Sequence, residues 1–345
     1  MNRSVGHALL AAALFGASTP FAKLLLGEVA PVLLAGLLYL GSGIGLILFR
    51  VIRDRGWRAS GLAPGQWPWL LGAILFGGVL GPVALMFGLS TTSASTVSLL
   101  LNLEAVLTAV IAWVVFRENA DRRIVLGMVL IVAGGVVLAW PTGALGSSNW
   151  IGPLAIAFAC VCWAIDNNLT RRVSAADALF IASSKGLLAG TVNCLLAASL
   201  GAVVPGAALL PALAVGLLGY GISLVMFVLA LRGLGTARTG AYFSTAPFIG
   251  AAVALGLLGE SAPPAFWLAA GLMGAGVWLH LTEHHAHEHL HDALEHSHAH
   301  AHDAHHQHLH TFEWDDERAH EHWHHHAPVV HKHPHFPDIH HRHSH

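Results

Sequence analysis

Thr92–Glu118 reads TSASTVSLLLNLEAVLTAVIAWVVFRE. A single carboxylate, Glu104, interrupts an apolar run that ends on the charged pair Arg117-Glu118. A helix of about 20 apolar residues crosses a bilayer, so this run is long enough to do so. Glu104 lies 12 residues from Thr92 and 13 from Arg117. At a rise of about 1.5 Å per residue it sits near mid-membrane. An ionisable group at that depth costs about 2.5 kcal/mol or more, so it has a partner or a task.

Nine further stretches resemble this one in length and apolarity: 5–26, 30–52, 67–89, 122–140, 150–170, 177–200, 208–231, 236–259 and 263–282. The expected fold class is therefore all-α, an integral membrane bundle of ten transmembrane helices. The first stretch is not read as a signal peptide, because Lys23 follows it without a clear cleavage site. Of the 345 residues, 55% are apolar and 10% charged, against about 25% charged in soluble proteins. A soluble enzyme and a nucleic-acid binder are poorly supported. Cys160, Cys162 and Cys194 all lie in apolar stretches and imply no disulfide framework.

Charge divides the chain near residue 282. Residues 1–282 hold 14 Lys and Arg and 8 Asp and Glu, a net of +6. Residues 283–345 hold 3 and 11, a net of −8, with 25 of the 27 His. Such a tail cannot bury a core and is expected to be disordered. Arg3, Arg50, Arg53, Arg55, Arg58, Arg117, Arg122, Arg123, Arg171, Arg172, Arg232 and Arg238 all fall on one side if the stretches alternate in direction. The loops on the other side carry no Lys or Arg, so the positive-inside rule places both termini in the cytoplasm of a bacterial-type inner membrane.

The body repeats internally. Leu103-Glu104-Ala105 … Phe116-Arg117-Glu118 matches Thr245-Ala246-Pro247 … Leu258-Gly259-Glu260, with Glu118 and Glu260 142 residues apart. Five helices per half is an odd number, so the second half enters upside down, and inverted repeats place a site near the midplane. The expected units are repeat 1 over 1–143, repeat 2 over 149–282 and a His-rich tail over 283–345. Gly41/Gly45, Gly77/Gly81 and Gly186/Gly190 suit close helix packing in lipid.

Ten helices in a 5+5 inverted arrangement resemble the drug/metabolite transporter superfamily, in its EamA-type branch. Asn102-Leu103-Glu104 with Arg117-Glu118 resembles the first-half signature of that family, and Thr245-Ala246-Pro247 with Gly259-Glu260 the second. The resemblance covers residues 5–281. It implies secondary transport, mostly export of small solutes, without fixing a substrate. Where it implies a proline in the first half this chain has Ala105, so a kink is not carried over there.

The candidate solute and proton pathway comprises Glu104, Asp166, Asn167, Lys185, Asn102 and Thr19. Asp166 lies five residues before Arg171, and Lys185 eight after Asp177, on consecutive antiparallel helices. The two therefore reach comparable depth and can pair, either lining a cavity or as a purely structural link. Glu104 then has no obvious cation. It is either a proton-exchanging coupling group or a permanently neutral carboxyl hydrogen-bonded between helices. Ser18, Thr19 and Pro20 occupy the place in the first helix that Ala164, Ile165 and Asp166 occupy in the sixth, and Tyr39 roughly that of Lys185. Lys23 is expected to snorkel to the interface.

The tail alternates. His285, His287, His289 and His291 recur every second residue, as do His296, His298, His300 and His302. His306, His308 and His310 follow, then His322, His324 and His326. Neutral imidazole ligates divalent transition metals, so these are the candidate metal ligands, for Ni²⁺, Co²⁺ or Zn²⁺. His also titrates near neutrality, which leaves a pH sensor open. No cofactor is required. The partners implied are the lipid bilayer, a small solute or metal ion, and a second copy of the chain, with no nucleic acid. The first expectation is a secondary exporter of divalent metal cations by proton exchange. The alternatives are export of a small organic metabolite, with the tail regulating, and a membrane-anchored metal reservoir or sensor.

Overall fold

A computed structural model describes residues 3–56, 60–116, 122–140, 150–173, 176–227, 229–230, 239, 242–282, 286–291, 294–300, 320–326 and 329–334. The body is all-α: α1 (Arg3–Leu25), α2 (Pro31–Asp54), α3 (Pro64–Thr91), α4 (Ala94–Leu100), α5 (Leu103–Phe116), α6 (Arg122–Ala139), α7 (Ile151–Arg171), α8 (Ala178–Ser199), α9 (Gly206–Phe227), α10 (Ala246–Leu258) and α11 (Pro264–Leu281). Eight segments are long and apolar enough to cross a membrane, with α4 and α5 together forming one of them. The helices in the ninth and tenth places, α10 and α11, are shorter, so the expected count of ten full-length spans is met only in part among the described residues. Residues 231–238, 240 and 241, at the start of the expected 236–259 stretch, lie outside the described residues, as do Arg58, Arg117, Glu118 and residues 141–149.

Local sequence explains where the helices start and stop. Pro31 opens α2, and Arg55 ends it in the left-handed region at φ 52. Ser93 caps α4 by accepting the Thr96 amide. Gly259 closes α10 at φ 62, a conformation glycine adopts at no steric cost. α3 and α9 each contain a wide π-type turn, Ile74–Leu80 and Gly216–Ile222. The two turns start 142 residues apart, the same offset as Glu118 and Glu260.

Packing reproduces the repeat. α2 packs on α8 and α6 on α11, while α1–α10 matches α5–α7 and α1–α9 matches α7–α3. These are the contacts that two copies with exchanged partners would make. Lipid offers apolar surface as good as another helix, so close van der Waals contact must hold the bundle. Glycine pairs supply it where the backbones meet: Gly43 against Gly186, Gly16 against Gly250, and Gly127 against Gly276. Large apolar side chains such as Ile52, Leu210 and Leu195 remain exposed on the outside, as a bundle surrounded by acyl chains requires.

The fourth span breaks at Leu101-Asn102 without a proline, while Ala105 lies inside the following helix. Both the backbone N–H of Asn102 and its side-chain amide donate to the Leu99 carbonyl, at 3.1 and 2.9 Å, holding the tight turn of the break. In the second half, Ser244 and Thr245 form a turn directly before α10 at the matching place.

The tail is a separate unit, His284–His345. Its described segments are extended: β1 (Ala286–His291) pairs antiparallel with β4 (Val329–Pro334), and β2 (Leu294–His300) with β3 (His320–His326). The His-x-His alternation has the period of two that a strand has.

Candidate functional site

Gly77, at the centre of the α3 π-type turn, organises the site. A π-type turn shifts the hydrogen-bond ladder and frees carbonyls for other donors. Tyr39 of α2 donates to the Gly77 carbonyl at 2.6 Å, Trp163 of α7 to the same oxygen at 3.0 Å, and Asn193 of α8 to Gly78 at 3.0 Å. The Asp166 side chain lies directly on Gly77, where any larger residue would exclude it. In the other half Ser18 lies on Gly219 in the same way. Ser18 and Asp166 are therefore counterparts, as the repeat reading placed them to within two residues.

The expected ion pair is present. Lys185 Nζ stands 2.6 and 2.7 Å from the two carboxylate oxygens of Asp166, and Thr170 donates to Asp166 at 2.8 Å. Lys185 also reaches Thr170 Oγ1 at 3.4 Å. Asp166 is buried at 6% exposure. Beside this pair, Asn167 donates to Glu104 Oε1 at 2.9 Å and lies 3.4 Å from Thr108 Oγ1, linking α7 to α5. Asn167 is exposed and Glu104 half-buried, so a cavity or the bilayer reaches this contact. Tyr39 lies within electrostatic reach of both Asp166 and Glu104.

Aromatic rings form a continuous line away from Tyr39. It runs from Tyr39 to Tyr220 at 5.5 Å, to Phe15 at 5.9 Å, to Phe243 at 5.4 Å and to Phe227 at 4.9 Å. The site thus combines an ion pair, one further carboxyl with no cation in contact among the described residues, amide and hydroxyl groups, and an aromatic run. Such a combination can bind an organic group that has an apolar body and a polar end.

Of the six pathway candidates, Glu104, Asn167, Asp166 and Lys185 come together. Asn102 does not: its side chain serves the helix break and faces Met273 of α11. Thr19 lies elsewhere, beside Ser98, Ala246 and Pro247. Among the described residues no three His, Cys, Asp or Glu side chains group as metal ligands. Of the tail candidates, His285, His302, His306, His308 and His310 lie outside the described residues; the remaining nine lie on β1, β2 and β3.

Three polar features make contacts that the sequence did not specify. Arg50, fully buried, bonds Asp177 at 2.9 Å under the Phe180 ring, and Arg53 reaches the same carboxylate at 3.3 Å. Asp177 lies outside the spans. Burial alone would raise its pKa, but the Arg50 hydrogen bond, the Leu179 amide and the two guanidinium charges outweigh it and hold the carboxyl below its ordinary value. Glu260 accepts the Ala94 and Ser95 amides at 2.7 and 2.8 Å. Lys23, near the end of α1, donates to the Leu89 and Thr92 carbonyls at 2.6 and 2.9 Å. The sequence signals for these were the place of Lys23 near the end of its helix and the recurrence of Glu118 and Glu260 across the halves.

Known proteins bear on this arrangement. The chain is 28% identical over 262 residues to an uncharacterized transporter of Methanothermobacter thermautotrophicus, covering 71% of this chain and 76% of that one. It is 36% identical over 110 residues to a protein of Pseudomonas aeruginosa named probable 4-amino-4-deoxy-L-arabinose-phosphoundecaprenol flippase subunit ArnE, covering 32% of this chain and 91% of that one. A solved crystal structure shares the fold at a TM-score of 0.59 and 22% identity, covering 79% of this chain and 95% of its own. The EamA-like transporter family matches residues 3–140 and again 150–282, and with apolar spanning helices around a polar centre in both halves, this chain belongs to that family of membrane transporters.

Proposed function

We propose that this membrane transporter is a secondary exporter of a small organic solute bearing a cationic, amine-type end, exchanged for protons at Glu104. The observation that carries this reading is the Glu104–Asn167 contact beside the Asp166–Lys185 pair, with an aromatic run leading away from it. Lys185 already neutralises Asp166, which leaves Glu104 as the carboxylate for a cargo cation. The aromatic faces favour a cation or a flat apolar body. Loaded from the cytoplasm, the cargo displaces the Glu104 proton; on the far side a proton displaces the cargo. The relative named as a flippase subunit for an amino-sugar lipid supports an amine-bearing cargo.

The sequence expectation of divalent metal cargo becomes the second reading. The 25 tail His favour it, whereas the body groups no three metal ligands among the described residues. In this reading Ni²⁺, Co²⁺ or Zn²⁺ meets the tail before the bundle. The orientation follows the basic residues, with both termini cytoplasmic and the bundle in a bacterial-type inner membrane.

Proteoliposomes containing the full chain and an internal pH dye separate the readings. Under a proton gradient, one or more of a panel of small organic amines should drive proton counterflow, and Glu104→Gln should abolish it. Counterflow with Ni²⁺, Co²⁺ or Zn²⁺ and with no amine would reject the organic cargo. Deleting 283–345 should leave amine flux intact and remove most metal binding in calorimetry.

A further inference from the structure

The end of the bundle away from the basic loops is closed by groups the transport site does not use. α1, α4 and α10 converge there. Gly16 and Gly250 meet backbone to backbone, and Gly250 also abuts the Ser98 side chain. Beneath this convergence a void of about 10 Å³, lined by Phe15, Thr19, Ser98, Leu101, Ala246 and Pro247, has room for about one water. The Ser98 hydroxyl is buried and has no hydrogen-bond partner among the described residues. A buried hydroxyl without a partner costs free energy, so this packing is not the arrangement that satisfies Ser98 best.

Above the void, two charged side chains span helix ends. Glu260 comes from the second half, just past the left-handed Gly259, and takes the first two amides of α4 in the first half. Lys23 takes the last carbonyls of α3 and lies within electrostatic reach of Glu260. Each charge has the sign that its helix end favours. The Glu260 contact joins the two halves about one helical turn from Ser98, which lines the void.

We propose that Glu260 is the latch of this face: its grip on the Ala94 and Ser95 amides, braced by Lys23, holds α1, α4 and α10 shut over the solute path and parts when the face opens. The repeat gives Glu260 a counterpart in Glu118, and aligning α1 with α7 from their first residues gives Lys23 a counterpart in Arg171. In the sequence both counterparts fall next to the basic connecting segments, so the chain carries the same pair of charges in each half.

The test needs no cargo, so an error in the proposed substrate leaves its outcome untouched. In the full chain with Cys160, Cys162 and Cys194 replaced by alanine, Ser98→Cys reports on the void. A membrane-impermeant maleimide is added to right-side-out and to inverted vesicles. Glu260→Gln should raise the labelling rate roughly tenfold or more from one side only, because charge-assisted hydrogen bonds are lost. Lys23→Gln should raise it roughly threefold from the same side. Glu260→Asp should fall between Glu260→Gln and the parent. Unchanged labelling in both Gln variants overturns the proposal. So does an equal rise from both sides, which marks Glu260 as a structural cap only. Should Glu260→Gln fail to accumulate, Lys23→Gln decides by the same rate.

Discussion

Replacing Lys185 by methionine removes the only ammonium in contact with Asp166 among the described residues while keeping the length of the side chain. Asp166 is 6% exposed and both its oxygens lie within 2.7 Å of Lys185 Nζ. Removing one partner of a buried pair typically costs about 3–5 kcal/mol, because the other charge is left without compensation. Thr170 still donates to Asp166 at 2.8 Å, which recovers about 1 kcal/mol. The expected loss is therefore about 2–4 kcal/mol. Adding Asp166→Asn removes the orphaned charge and keeps a group that Thr170 can bond, so the double variant should regain about half of that loss. The measurement is a double-mutant cycle on reversible unfolding in mixed micelles, followed by helical circular dichroism. A loss below about 1 kcal/mol in Lys185→Met, or strictly additive effects, would refute the argument that these charges are coupled and dry. Flux through the folded double variant then separates the two roles: retained flux marks the pair as structural, and lost flux places it on the path.

Gly77→Ala puts a methyl group where the Asp166 side chain lies, so it should destabilise by about 1–3 kcal/mol and displace the ion pair. Unfolding of the solubilised protein checks this, and an unchanged midpoint would show that α7 yields freely. Asp177 offers a pH test. Its folded-state pKa is depressed, so its contribution is present above the ordinary aspartate value of about 3.9 and is lost as pH falls below that. Thermal scans between pH 5 and pH 3 should show the parent losing stability and Asp177→Asn, already weaker by about 2 kcal/mol, losing less over the same window. Parallel slopes would remove Asp177 as the cause.

Periodicity and charge made much of the bundle readable. A run such as 92–116 has no alternative in water, and bilayer thickness dictates its length, so most spans fell where the sequence placed them. The exception is α10, which starts at Ala246 against an expected 236, with residues between them outside the description. The helix break at Asn102 escaped notice because its signal is a side chain bonding a carbonyl three residues back, not a proline. Asp166 and Lys185 were pairable from sequence, since consecutive antiparallel helices fix relative depth. Asn102 and Thr19 were misplaced because depth says nothing about which face of a helix a residue occupies.

The sequence by itself determined that this chain crosses a membrane, that its body is doubled, and that the carboxyl of Glu104 interrupts the fourth apolar run. Each of these depends only on the order of residues along the chain and on the thickness and polarity of lipid. Only the tertiary structure decided that Asn167 is the partner of Glu104, that Tyr39 and Trp163 share the Gly77 carbonyl, and that Glu260 binds α4. Those contacts join residues from 63 to 166 positions apart, except Tyr39–Gly77 at 38. No local pattern encodes them. They follow from the rotation of each helix about its axis, which glycine pairs and two π-type turns set when the helices pack.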